Sequence, residues 1–245
     1  MNVHVGKDFF RTICKLNDRK CRDESAGTFD ILIEGERLIK QVTDYSVEIK
    51  ALFVQEGKEY LSDIESRRYF LTKKQVEILT ETENSQGVFA QVTFKTKVIT
   101  KFNKLLYLNG ISDPGNLGTI IRTATAFGVD GLIVDDLCCD FLNSKVVRAS
   151  MGAVFKLPIM KIGKNWLAER KEIIIISEIN QGTPICEFEF PGSPYILVIG
   201  NEANGVDGWI KQLASHKIYI PMQNSMESIN VAVATGVMLW QMISG

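Results

Sequence analysis

NGISDPGNLGTIIRTATAFG occupies residues 109–128, and two related stretches follow it: VIGNEANGV at residues 198–206 and IPMQNSMESINVAVATGV at residues 220–237. Each stretch predicts a strand that runs into a polar turn and then a helix. Catalytic and ligand-binding groups of α/β proteins gather on the loops that follow the C-terminal ends of parallel strands. The candidate functional residues are therefore those at or just beyond the three turns: Asn116, Arg122, Asn201, Glu202, Ser228 and Asn230.

The C-terminal part predicts an α/β domain over residues 105–245. Apolar runs such as IIIIS and YILVIG are continuous, which is typical of parallel strands covered by helices on both faces. Helical patterns separate the strand-like segments. The last of these patterns spans residues 228–242, and Ser228 is expected to act as its N-cap.

The N-terminal part predicts a separate small α/β domain over residues 26–96, followed by a linker at residues 97–104. Strand and helix patterns alternate in this domain, including a helix over YLSDIESR at residues 60–67. Residues 1–25 predict a helical arm. Its basic side chains suit phosphate contact, although a solvated amphipathic helix explains them better. They are Lys7, Arg11, Lys15, Arg19, Lys20 and Arg22.

The composition is that of an ordinary globular protein of 245 residues, with 45% hydrophobic and 23% charged residues. The formal net charge is −1, so the overall charge does not predict a nucleic-acid partner. Five cysteines without a C-x-x-C pair and only two histidines favour neither a metal site nor a histidine-based triad. Because no apolar run reaches about 18 residues, we expect a soluble protein of a reducing compartment.

The first turn also resembles a dinucleotide-binding turn. Gly115 and Gly118 follow a strand, a helix comes next, and Asp135 lies 20 residues beyond Gly115. However, the pattern is G-x-x-G and not G-x-G-x-x-G, which leaves an NAD-dependent oxidoreductase as a minor alternative. Arg122 weakens this alternative further, because an arginine within an otherwise apolar helix either faces solvent or is held for a function.

Together, the three stretches resemble the signature of the SpoU family of RNA ribose 2′-O-methyltransferases. KVVRASMGAVFKLPI at residues 145–159 fits the segment between the first two motifs. ILIEGERLIKQV and TENSQGVFAQV resemble the small RNA-binding domain often fused to this family, so the resemblance extends from about residue 16 to the end. It implies S-adenosylmethionine as the methyl donor, a deep trefoil knot in the C-terminal domain, and a homodimer.

The resemblance also implies which residues form the site. In the cofactor pocket it places residues of the second and third motifs: Gly200, Asn201, Ile220, Met222 and Ile229. At the reaction centre it places residues of all three motifs: Asn116, Arg122, Glu202, Ser228 and Asn230. The chain departs from the family pattern at three positions, which concern the shape of the cofactor pocket: Ala203, Asn224 and Ala232.

The chemistry of these side chains suggests their roles. A guanidinium almost never releases its proton, so Arg122 suits a substrate phosphate better than the role of general base. Glu202 would orient Arg122 or Asn116, while Ser228 and Asn230 would hydrogen-bond the ribose or the carboxylate end of the cofactor.

We therefore expect a cytoplasmic enzyme that methylates one ribose of structured RNA, with ribosomal RNA favoured over transfer RNA. A non-catalytic RNA-binding or ribosome-assembly protein with a vestigial cofactor pocket is the alternative from a different functional class. The presence of every polar residue proposed for the chemistry argues against this alternative.

Overall fold

The structure is a computed structural model that describes residues 3–22, 27–163, 165–179, 181–223 and 228–244. The chain divides into two compact units, Met1–Thr96 and Lys97–Gly245. Each unit contains one β-sheet flanked by helices. One of the three departures from the family pattern, Asn224, lies outside the described residues.

The N-terminal unit contains a five-stranded mixed sheet. Its elements in chain order are β1 (Val3–His4), α1 (Lys7–Cys14), β2 (Thr28–Glu34), α2 (Glu36–Asp44), β3 (Ile49–Gln55), β4 (Arg67–Leu71), α3 (Lys73–Leu79) and β5 (Val88–Lys95). The strand order is β1-β4-β3-β5-β2. Strand β5 pairs antiparallel with β2 and β3, whereas β4 pairs parallel with β1 and β3.

The helix predicted at residues 60–67 is wrong, because this segment is irregular with a single turn until Arg67 begins β4. The guanidinium of Arg68 donates hydrogen bonds to the carbonyl oxygens of Tyr60, Leu61 and Ile64. Leu61 is buried and has a φ of 56°, which is incompatible with a right-handed helix. The arginine that follows this segment thus takes carbonyl groups that a helix would use for its own hydrogen bonds.

The C-terminal unit contains a seven-stranded sheet in which every pairing among the described strands is parallel, as the apolar runs predict. Its strands are β6 (Lys104–Leu108), β7 (Gly131–Val134), β8 (Ile159–Lys161), β9 (Ile173–Ser177), β10 (Thr183–Pro184), β11 (Tyr195–Ile199) and β12 (His216–Tyr219). The strand order is β10-β12-β9-β11-β6-β7-β8. Every residue of the central strand β11 is buried.

In the described part of this unit, five α-helices accompany the sheet: α4 (Pro114–Ala126), α5 (Ser144–Ala149), α6 (Asn165–Ala168), α7 (Gly208–Leu213) and α8 (Val231–Ser244). Helix α4 begins where the side chain of Asp113 accepts a hydrogen bond of 2.8 Å from the backbone N–H of Asn116, with Pro114 in the first turn. Helices α4 and α5 approach closely at Gly118, where a Cβ atom would lie 2.5 Å from the Cβ of Ala149. Among the described helices, none is long and apolar enough to cross a membrane.

Candidate active site

A cavity of about 570 Å³ opens where strands β9, β11 and β12 end. The five residues predicted to hold the cofactor all line it: Gly200, Asn201, Ile220, Met222 and Ile229. The lining combines apolar side chains with a few polar ones, and the volume lies within the usual range for small-molecule sites, about 300–1,000 Å³. These residues therefore fit a cofactor that has both apolar and polar groups, such as S-adenosylmethionine.

The loop after β11 is fixed by backbone contacts and by one asparagine. A Cβ atom on Gly200 would lie 2.2 Å from the carbonyl carbon of Gly205, so only glycine fits this position. The side chain of Asn201 donates to the carbonyl oxygen of Gly110 at 2.7 Å and accepts from the backbone N–H of Ala203 at 2.9 Å. Ala203 is not among the residues with positive φ, so alanine is accommodated there without strain.

A hydrogen-bonded network joins the three turns. The side-chain amide of Asn116 donates to the carboxylate of Glu202 at 3.0 Å. The side-chain amide of Asn230 donates to the side-chain oxygen of Asn116 at 2.9 Å. Glu202 and Asn230 also line the cavity, so the network lies along its rim. Of the two partners predicted for Glu202, the structure selects Asn116.

Helix α8 begins later than predicted, and its cap is a different residue. The side-chain oxygen of Asn230 accepts hydrogen bonds from the backbone N–H groups of Ala232 at 2.9 Å and Val233 at 3.3 Å. The assignment of Ser228 as the N-cap is therefore wrong, because it lies before the helix and Asn230 satisfies the free N–H groups. Ser228 is exposed and is one of the residues that line the cavity.

Arg122 lies apart from this network. It is exposed on α4, and within the described part of the chain it is not among the residues that line the cavity or hydrogen-bond to Asn116, Glu202 or Asn230. The structure therefore brings together four of the five residues predicted for the reaction centre at the rim of the cavity, and leaves the arginine facing solvent in the single chain.

Acidic side chains lie near Cys139. Burial raises the pKa of the Cys139 thiol, the carboxylates of Asp140, Asp113 and Glu202 also raise it, and together they bring it to about 11. The thiol is therefore protonated near neutral pH and is a poor nucleophile. Within the described ranges, no group of three or more His, Cys, Asp or Glu side chains is arranged to hold a metal ion.

Residues 103–240 match the model of the SpoU rRNA Methylase family, and residues 8–90 match that of an MRM3-like substrate binding domain. The chain belongs to the SpoU rRNA methylase family. It is 30% identical over 234 residues to the 23S rRNA (guanosine(2553)-2′-O)-methyltransferase RlmP of Bacillus subtilis (strain 168), and the match covers 93% of each chain.

Solved structures of SpoU methyltransferases have the same fold. The AdoMet-bound rRNA methyltransferase from Sinorhizobium meliloti is 25% identical, with a TM-score of 0.80 over 98% of this chain and 96% of that one. The SpoU methyltransferase AviRb from Streptomyces viridochromogenes, in complex with AdoMet, is 23% identical, with a TM-score of 0.81 over 98% of both chains.

In this SpoU domain, Asp135 has a structural role that does not fit the dinucleotide-binding alternative. Asp135 is 2% exposed. Its two oxygens accept hydrogen bonds from the side chain of Asn109 at 2.8 Å and from the backbone N–H groups of Gly110, Leu137 and Cys138. The carboxylate that would bind a ribose in an NAD site is thus already engaged within the protein.

Sequence reasoning missed two charged residues that line the cavity, Glu178 and Lys211. The signal for Glu178 was present, because this residue follows the apolar strand β9 as Asn201 and Glu202 follow β11. No comparable signal marks Lys211, which reaches the cavity from helix α7.

Proposed function

We propose that this protein transfers a methyl group from S-adenosylmethionine to the 2′-hydroxyl of one ribose in ribosomal RNA. The observation that carries the proposal is the Asn116–Glu202–Asn230 network at the rim of the cavity of about 570 Å³. The family match and the similarity to RlmP, named as a 23S rRNA 2′-O-methyltransferase, support the reaction and the substrate class. A cytoplasmic location is part of this proposal.

The reaction requires a ribose oxygen to be held in line with a sulfonium methyl group while its proton leaves. S-adenosylmethionine supplies that methyl group as an electrophile when it is bound. Gly200, Ile220, Met222 and Ile229 would hold it, because they line the cavity and three of them contribute apolar side chains. Positioning of the substrate then falls to the residues at the rim.

At the rim, the hydroxyl of Ser228 and the side-chain amide of Asn230 would hydrogen-bond the ribose or the carboxylate end of the cofactor. Glu202 fixes the amide of Asn116 at 3.0 Å and thereby fixes Asn230 as well. Arg122 binds a substrate phosphate, whose oxygen accepts the proton of the hydroxyl, or it only orients the ribose for attack. In either case the methyl group passes from sulfur to oxygen and the arginine remains charged.

The N-terminal unit is proposed to bind the RNA. Its residues 8–90 match a substrate binding domain, which fits recognition of RNA by shape and phosphate contacts outside the chemical site. We assign residues 26–96 to this domain, residues 97–104 to a linker and residues 105–245 to the methyltransferase domain. The basic residues 1–25 would contact RNA as part of the N-terminal unit, because β1 pairs with β4 in its sheet.

Methylation of purified RNA tests the function. Wild-type protein is incubated with methyl-labelled S-adenosylmethionine and with 23S rRNA, 16S rRNA or tRNA. The RNA is then hydrolysed with alkali, which does not cleave next to a 2′-O-methylated ribose. Alkali-resistant labelled dinucleotides from an rRNA fraction are the expected result. Label in tRNA alone would show that tRNA is the substrate in place of rRNA. Absence of label from all fractions and from ribosomal subunits would overturn the proposal.

A trefoil knot is proposed for the C-terminal unit on the family resemblance. It is consistent with the way the loop after β11 is tied to the end of β6, through Asn201 to Gly110 at 2.7 Å and through Asp207 to Asn109 at 2.8 Å. Stretching single molecules by their termini is the test. A knotted chain should stop short of full extension, about 3.5 Å per residue, whereas a chain that reaches full extension is unknotted.

A homodimer is proposed because helix α8 exposes an apolar stripe. Val233, Val237, Trp240 and Ile243 are 56%, 40%, 59% and 43% exposed, and their spacing places them along one side of the helix. An exposed stripe of this kind marks an interaction surface, and a second copy in twofold symmetry would present the same stripe to it.

The dimer proposal predicts that Trp240→Asp lowers the mass in sedimentation velocity from a dimer toward the 27.5 kDa monomer, because a charge at the centre of the stripe would be buried without a partner. Ile78→Asp is the matched control, since Ile78 in the N-terminal unit is also 59% exposed. A monomeric wild type, or equal dissociation in both variants, would contradict the assignment of α8 to the interface.

A further inference from the structure

The wall of the cavity contains a buried carboxylate that the proposed methyl transfer does not use. Glu178 is the first residue after strand β9, and its backbone N–H donates to the carbonyl oxygen of Ile218 at 2.9 Å. Its side chain is only 9% exposed. Both Glu178 and its neighbour Lys211, from helix α7, line the cavity.

Lys211 accounts for only part of the hydrogen-bonding capacity of this carboxylate. The Nζ atom of Lys211 lies 2.7 Å from Oε1 of Glu178, and the lysine side chain is 35% exposed. An ionised carboxylate has about four lone-pair sites, whereas the ammonium group occupies one side of one oxygen. Because a buried carboxylate with unfilled acceptor positions is unfavourable, these positions suit donors from a ligand in the cavity.

Of the two carboxylates among the described lining residues, Glu178 is the buried one, since Glu202 is exposed. Ile179, Ile199, Ile220 and Met238 contribute apolar surface, so a ligand buried against them would lose its contacts with water. Donor groups of the ligand must then find an acceptor on the protein. A carboxylate in such surroundings forms stronger hydrogen bonds than a neutral acceptor does.

S-adenosylmethionine has three groups that donate hydrogen bonds: the adenine amino group, the two ribose hydroxyls and the α-ammonium group. Lys211 disfavours the α-ammonium group at this place, because two like charges would meet within one small pocket. The adenine amino group is a neutral donor on a single atom. The ribose diol offers two donors on neighbouring carbons, which match two acceptor positions of one carboxylate, as an acidic residue does in dinucleotide-binding sites.

We propose that Glu178 binds the ribose hydroxyls of S-adenosylmethionine, and that Lys211 is a positioning residue that holds the carboxylate in place. This inference rests on the proposed function, because it concerns the same cavity and the same cofactor. It adds a specificity determinant: the pocket distinguishes the ribose form of the cofactor from a deoxyribose form.

Isothermal titration calorimetry with S-adenosylmethionine tests the inference without RNA. Glu178→Gln should weaken binding by between about 10-fold and 100-fold, the loss typical of a hydrogen bond to a charged group. Lys211→Met should weaken binding less, since the carboxylate remains but is no longer oriented. Glu189→Gln is the matched control, because Glu189 is exposed and is not among the described residues that line the cavity.

S-adenosylhomocysteine and its 2′-deoxyribose counterpart separate the ribose from the other groups. Wild type should prefer the ribose form by about 10-fold or more, and Glu178→Gln should bind both forms with similar affinity. Equal loss of both forms in the variant would assign Glu178 to the adenine amino group and overturn the inference. Unchanged binding of S-adenosylmethionine by the variant would also overturn it.

If the variant fails to fold, the wild-type protein still tests the inference, because its affinities for the ribose and deoxyribose analogues can be compared without a mutation. Equal wild-type affinity for the ribose and deoxyribose forms would refute the inference and leave the methyltransferase proposal intact. Absence of any wild-type binding to S-adenosylmethionine would refute both. The separate assay of rRNA methylation tests the proposed function and does not depend on the role of Glu178.

Discussion

Replacing Gly200 with alanine is expected to abolish detectable S-adenosylmethionine binding and to lower the free energy of unfolding by about 3 kcal/mol. The added Cβ atom would lie 2.2 Å from the carbonyl carbon of Gly205 and 2.3 Å from the backbone nitrogen of Val206. Both contacts are with backbone atoms, so no side-chain rotation relieves them. The loop after β11 must move, and this loop forms one wall of the cavity.

Gly192→Ala is the matched control for this substitution. Gly192 lies in the same unit, does not have positive φ, and a Cβ atom added to it would meet no atom within 4 Å. Calorimetry should give wild-type cofactor affinity for the control, and denaturant unfolding should give a stability within about 0.5 kcal/mol of wild type. Wild-type affinity in Gly200→Ala would show that the loop does not form the cofactor pocket.

The edge of the sheet at which the site forms could be predicted from the sequence. Continuous apolar runs indicated parallel strands, and parallel strands bring their C-terminal ends to one edge. The polar turns that follow β6, β11 and β12 are therefore expected at the same edge of the sheet. Their meeting is visible in the hydrogen bonds of Asn116, which join it to Glu202 and Asn230, residues 86 and 114 positions away in the chain.

The individual roles within the site could not be read from the sequence, because they depend on contacts between distant residues. Whether Glu202 faces Asn116 or Arg122 is decided by the packing of α4 against the loop after β11. Ser228 and Asn230 both have side chains that cap helices, and only the position of the first helical turn selects Asn230. Glu178 itself could have been found, because it follows an apolar strand, but its ion pair with Lys211 has no signal in the sequence, since Lys211 comes from another element.

The error at residues 60–67 has a local origin. The pattern of YLSDIESR is compatible with a helix, but Arg68 donates to three of its carbonyl groups. Sequence periodicity measures the fit of side chains to a helix and contains no information on such competition for backbone groups.

Arg122→Ala is expected to reduce kcat for rRNA methylation by about 100-fold to 1,000-fold, the loss typical of one preorganised group at a reaction centre. Cofactor affinity should be unchanged, because Arg122 is not among the described residues that line the cavity. Stability should change by less than about 0.5 kcal/mol, since the side chain is exposed. Single-turnover methylation, calorimetry and denaturant unfolding measure these three quantities on the same preparations.

Two further variants distinguish a phosphate-binding arginine from a general base. Arg122→Lys retains the charge and loses the paired N–H groups that grip a phosphate, so it should recover part of the activity and show a raised KM for RNA. If residue 122 were the general base, the methylation rate of Arg122→Lys would instead depend on pH, because a lysine loses its proton at lower pH than a guanidinium does. Thr119→Ala, one turn earlier on the exposed side of α4, is the control and should leave kcat unchanged. Near-normal turnover in Arg122→Ala would remove the arginine from the reaction and leave positioning of the ribose to the Asn116–Glu202–Asn230 network.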